Sequence, residues 1–104
     1  MDFSFATANE ISKELGARLK IARLAKGLSQ AELATRAGIS LSTVKKLERT
    51  GDCVLATLIK VAQALRIEGG FAELFKPGIQ SIAELAQMEQ ATLKVRKRAP
   101  RKPR

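Results

Sequence analysis

Ser42, Lys45, Lys46 and Arg49 lie in the stretch LSTVKKLERT, with Leu41 opening it. On a helix turning about 100 degrees per residue, Val44 and Leu47 share one side and these five residues point away from it. Hydroxyls and cations near a helix N-terminus can meet phosphate oxygens and base edges, so the chemistry on offer is recognition of a polyanion in a groove. A solvated helix face would use the same residue types, and charge alone leaves both readings open. No comparable set serves catalysis. The sequence has no histidine and a single cysteine, Cys53, which excludes an internal disulfide, a Cys/His metal cluster and a His-based triad. Carboxylates are scattered along helix faces and no nucleophile has a partner base, so no enzyme activity, metal or cofactor is expected. Cys53 reads as a small half-buried thiol without a redox role.

The cationic face needs elements that hold it outward. Ser29 and Glu32 are spaced as a capping box, so a helix of about eight residues begins at Gln30, with Ala31, Leu33, Ala34 and Ala37 as small or apolar contacts. Gly38 can take the left-handed conformation that ends it, and Ser40 caps the next helix almost at once. Ile39 enters the core between the two. Upstream, Ile11, Leu15, Leu19 and Ala22 follow a helical stripe over about Ala8 to Lys26, stopped by Gly27. Leu24 projects to the other side, either exposed or covered by something outside the first core. Downstream, Leu55, Leu58, Ile59, Ala62 and Leu65 predict a fourth helix, capped by Asp52 or Cys53 and broken by the EGG of residues 68–70. FAELF predicts a short helical turn with Phe71, Leu74 and Phe75 on one side.

The ends of the chain read differently. After the KPG turn, IQSIAELAQMEQATLKV predicts another helix with Ser81 as candidate cap, and Ile82, Leu85 and Ala86 form a thin apolar stripe that calls for a partner. Phe3 and Phe5 alternate as in an extended edge segment. With Phe71 and Phe75 they are all the aromatic residues of the chain, expected at a dimer or partner contact or at a lid over a second core.

The 104 residues fit one compact domain, and the formal net charge is +9. Seven of the 19 cations stand in the last 11 positions, KVRKRAPRKPR, leaving 12 cations against 10 acids elsewhere. The tail has little to bury and is expected to be disordered when free, with Arg96, Lys97, Arg98, Arg101, Lys102 and Arg104 available to nucleic-acid phosphates or to another anionic surface, between which basicity alone does not choose. A solubilising terminus is the bland alternative. No window spans a bilayer and the start lacks a signal peptide's pattern, so a cytoplasmic location is expected.

Residues 15–67, through RLKIARLAKGLSQAELATRAGISLSTVKKLERTG and LATLIKVAQALRI, resemble the Xre family, the Cro and lambda-repressor type of helix-turn-helix. Gln30, Glu32, Leu33, Ala34, Gly38, Ile39, Ser40, Val44, Leu47 and Glu48 carry the likeness. The resemblance implies an all-α, five-helix lambda-repressor-like DNA-binding domain over residues 8–68. A C-terminal helical extension for dimerisation or partner binding would follow over 69–93, and the basic tail over 94–104. It implies Leu41, Ser42 and Lys46 as base readers, Gln30, Thr43, Lys45 and Arg49 as backbone contacts, and a buried structural ion pair between Arg23 and Glu48. The first recognition position, often glutamine in relatives, is Leu41, which implies contact with a thymine methyl or a steric role in place of bidentate adenine reading.

FAELFKPGIQSIAELAQMEQ and the basic tail also resemble the ending of HipB-like antitoxins, which implies a HipA-type kinase toxin as partner. The expected function is a dimeric, sequence-specific repressor on an inverted-repeat operator. A free-standing regulator without a toxin partner, and a protein-interaction module with vestigial DNA binding, are the alternatives. Single-stranded nucleic acid is disfavoured, because Trp and Tyr are absent and the phenylalanines lie outside the basic helix.

Overall fold

A computed structural model describes residues 2–77 and 86–93. The protein is all-α: four helices, α1 (Ala8–Ala25), α2 (Gln30–Ala37), α3 (Leu41–Thr50) and α4 (Leu55–Ala64), are followed by a helix over residues 86–93, α5. Two 3-10 turns, Phe3–Phe5 and Glu68–Phe71, complete the described residues, which include no strand. The second turn covers the EGG sequence and Phe71, the first residue of the FAELF stretch. The chain divides into two compact units, Met1–Ala72 and Glu73–Arg104. No described helix is long and apolar enough to cross a membrane.

Local chemistry sets the helix ends. α1 starts from a reciprocal capping box between Thr7 and Glu10, which sequence reading missed, and α2 from the expected one between Ser29 and Glu32. Gly38 ends α2 at φ 71°, in the left-handed region open to glycine, and the Ile39 amide then donates to the Ala34 carbonyl at 3.0 Å. Ser40 accepts from the Thr43 amide at 3.1 Å and starts α3 two residues after Gly38. Little freedom is left in the angle between α2 and α3.

The core of the first unit is Leu19, Leu28, Leu33, Ala34, Val44, Leu47, Val61 and Leu65, with Ile39 and Leu58 packed at its margin. Leu33, Val44, Leu47, Val61 and Leu65 are each at most 2 % exposed, and burying such a side chain contributes roughly 1.5 to 3 kcal/mol. α3 packs on both α1 and α2, and α4 packs on α2.

Several expectations are corrected. The inner side of α1 runs through Gly16, Leu19 and Arg23, while Leu15 is partly exposed, because the glycine lets α1 and α3 meet backbone to backbone. On α4 the stripe is Leu58, Val61, Ala62 and Leu65, which fits the same period, and Leu55 and Ile59 turn outward. Neither Asp52 nor Cys53 caps α4: Val54 holds the cap position, its carbonyl accepts from the Thr57 and Leu58 amides, and no side chain takes part. α4 also stops before the EGG sequence. Arg66 adopts φ 60° and the Ile67 amide reaches back to the Ala62 carbonyl at 2.9 Å, closing the helix while Leu65 stays buried. Phe3–Phe5 is a 3-10 turn and not an extended edge, because the Asp2 carboxylate accepts the Ser4 amide and the Ala6 amide donates to the Phe3 carbonyl.

Candidate nucleic-acid interface

α3 has two faces of opposite character. Val44, Leu47 and Glu48 are buried, whereas Leu41, Ser42, Lys45, Lys46 and Arg49 are exposed and Thr43 is half-buried. The partition follows the helical period and puts every expected base-reading side chain at the surface.

The hydroxyls of the first turn form a small network. Ser40 Oγ lies 2.7 Å from Thr43 Oγ1 and 3.2 Å from Ser42 Oγ, so the cap orients both neighbours. Both hydroxyls keep further hydrogen-bonding capacity, Ser42 at an exposed position and Thr43 at a half-buried one. At the other end of α3, Lys46 Nζ lies 3.2 Å from Asp52 Oδ2 across the Gly51 cap, with both side chains more than half exposed. Thr50 Oγ1 donates to the Lys46 carbonyl at 2.8 Å and accepts the Asp52 amide at 3.0 Å, which holds the acid near the lysine. Asp52 is a neighbour of the candidate site that the sequence reading placed elsewhere, as a helix cap.

The inner face is tied down by charge as well as packing. Arg23 Nε donates to Glu48 Oε2 at 2.6 Å and a second guanidinium nitrogen to Oε1 at 3.0 Å, and the remaining one donates to the Leu28 carbonyl at 2.7 Å. Both side chains are more than nine-tenths buried. Burial pushes the Glu48 carboxyl up, but hydrogen bonds from Arg23 and Gln30 and the nearby charges of Arg23 and Lys20 outweigh it and hold it below the ordinary glutamate range. The hydrogen bond to Glu48 raises Arg23 further above its usual value. Gln30, the first residue of α2, donates through Nε2 to Glu48 Oε1 at 3.0 Å, so the candidate backbone contact on α2 is fixed to α3.

Phe3 sits under Arg18, whose guanidinium carbon is 5.5 Å from the ring centroid; Phe5 is almost fully exposed and Phe71 half-buried. Phe75, in the second unit, is exposed at φ 59°. Arg96, Lys97, Arg98, Arg101, Lys102 and Arg104 lie outside the described residues. Cys53 is half-buried, and burial together with the Asp52 charge pushes its thiol up, away from the reactive thiolate. Among the described residues no group of three or more Cys, Asp or Glu could hold a metal ion.

A family model described as a helix-turn-helix domain matches residues 14–74, more than half of the chain and all of α2, α3 and α4. No curated protein matches it.

Proposed function

The chain belongs to the helix-turn-helix domain family of DNA-binding regulators, and from that premise we propose a sequence-specific repressor that reads double-stranded DNA with α3. The observation that carries this reading is the division of α3 into a buried apolar side and an exposed side bearing Leu41, Ser42, Lys45, Lys46 and Arg49. Leu41, Ser42 and Lys46 face the base edges: an ammonium can donate to guanine O6 and N7, and an apolar side chain can contact a thymine methyl. Lys45 and Arg49 flank them and take the phosphates, joined by Gln30 from α2. Thr43 supports the backbone contact through the Ser40 cap.

The repressor acts as a homodimer. Two copies of α3 related by a twofold axis enter successive major grooves about 34 Å apart, so the operator is an inverted repeat. Residues 69–93 supply the dimer or partner contact, with Phe71 and Phe75 in that extension and Phe3 and Phe5 as separate apolar candidates near the start of the chain. The resemblance of residues 71–90 to the ending of HipB-like regulators supports an antitoxin role, in which the protein also binds a HipA-type kinase and represses their shared operon.

Selection of duplexes from a random pool by the full chain tests the DNA-binding reading. Enrichment of an inverted repeat, with a two-protomer complex in sedimentation, is the expected result. Recovery of no preferred sequence would overturn it. Copurification of a coexpressed HipA-type kinase tests the antitoxin role separately.

A further inference from the structure

Ile21 and Leu24 stand on the second half of α1 at 66 % and 56 % exposure, and Ala17 and Ala25 beside them are exposed as well. The four form an uncharged face over about two turns. Its place in the fold follows from the side of α1 that packs: Gly16 lies against the backbone of Leu47 and Glu48 in α3. At 100 degrees per residue, Ile21 stands about 140 degrees and Ala25 about 180 degrees round the helix from Gly16. Leu47 and Glu48 belong in turn to the buried side of α3, opposite its exposed reading side. The apolar face, α1, α3 and the reading side are stacked in that order, so DNA held by α3 leaves the face uncovered.

Two features point to a second copy of this chain as the occupant. Ala17, Ile21 and Ala25 follow at four-residue intervals, the kind of ridge that interlocks with an identical one when two helices cross about 8 to 10 Å apart, and the small residue on either side of Ile21 leaves room for the partner's Ile21. Charge sets the direction. The first half of α1 and the segment before it carry Asp2, Glu10 and Glu14, which with Lys13 and Phe5 line one open depression. Glu14 is paired with Arg18 at 2.9 Å. Between Glu14 and Glu32 there is no acid, while Lys20 and Lys26 are exposed. An antiparallel crossing brings the acid-bearing end of each α1 toward the cationic end of the other, and a parallel one sets like charges together.

We propose that this face pairs α1 with α1 of another copy across a twofold axis, joining two DNA-bound proteins back to back so that they bridge separate stretches of duplex. The assignment rests on the DNA-binding reading above and uses a surface outside the extension of residues 69–93. Four residues a side fall far short of the roughly 20 to 30 of a stable interface. The contact is therefore weak between free proteins and takes hold when one DNA molecule keeps two copies at high local concentration.

The test uses a DNA tether with two copies of a duplex selected by the full chain, set about 450 base pairs apart, three persistence lengths. The natural protein is expected to shorten the tether by the intervening loop, and a tether with one site stays long. Ile21→Asp and Ile21→Lys each bind a single site with unchanged affinity and form at least several-fold fewer loops. Mixing the two variants restores looping, because aspartate then meets lysine across the axis, a rescue that a folding defect cannot give. If the natural protein fills both sites without looping, or if Ile21→Asp loops as often as the natural protein, back-to-back pairing is overturned while the DNA-binding reading stands. Loss of copurification with a coexpressed HipA-type kinase in Ile21→Asp, with looping untouched, would give the face to that partner instead. If the full chain selects no duplex at all, both readings fall.

Discussion

Arg23 and Glu48 decide more than their number suggests, because the pair joins α1 to α3 from inside the core. A buried charge is tolerated only when its partner is in place; removing one side leaves the other desolvated and uncompensated. Arg23→Ala is therefore expected to lower unfolding stability by about 3 to 5 kcal/mol, measured by denaturant titration. The pair also predicts a pH response with a definite sign. Glu48 is held below the ordinary glutamate range in the folded protein, so its contribution is fully present above that range and is lost as pH falls through the depressed folded value. Stability curves should show an acid limb starting below about pH 4.3 that is missing from a Glu48→Gln, Arg23→Met double variant. A second residue-scale effect concerns Lys46, whose ammonium rests against Asp52. An incoming base edge must compete with that carboxylate, and the acid also repels the phosphates. Asp52→Asn should bind all duplexes several-fold more tightly and discriminate less among them, and this gain should shrink in a Lys46→Ala background when affinities are compared in a double-mutant cycle.

At the scale of elements, local signals were legible and long-range ones were not. Ser29, Glu32, Gly38 and Ser40 each act within three or four residues, and the sequence predicted the α2 and α3 starts from them to the residue. The outward face of α3 followed from the same periodicity. The inner face of α1 did not: Gly16 has no hydropathy to contribute, and Arg23 is a charged residue whose burial depends on Glu48, 25 positions away. The stop of α4 was also hidden, because Arg66 takes a left-handed φ that favours glycine, and the chain offers its glycines only later, at 69 and 70. Asp52 was misassigned for a similar reason, since its partner Lys46 lies back across the turn. Gly16 gives the element-scale prediction. A Cβ there would run into the Leu47 carbonyl oxygen, a backbone atom that cannot swing aside, so α1 and α3 must separate. Gly16→Ala should cost about 1 to 3 kcal/mol in thermal or denaturant unfolding despite the better helix propensity of alanine. An unchanged or raised midpoint would show that the two helices can part freely.

For the whole molecule the governing quantity is where the charge lies. The formal net charge of +9 splits into a nearly balanced stretch of 93 residues and a tail of seven cations without an acid. On the DNA-binding reading, a near-neutral body with cations on the exposed face of α3 should favour one orientation on DNA, whereas a concentrated cationic tail should raise affinity for any duplex nearby. The two contributions separate in salt. Each phosphate neutralised releases counterions and adds about 0.9 to the slope of log affinity against log salt, whatever the sequence bound. Removing residues 94–104 should therefore flatten that slope by a few units on selected and unselected duplexes alike, and leave their affinity ratio close to that of the full chain. A tail that inserts into a minor groove beside the operator would behave differently, lowering the ratio as well, because groove width depends on sequence. Titrating both duplexes at four or more salt concentrations, with and without the tail, distinguishes these cases, and an unchanged slope would exclude the tail from the DNA interface.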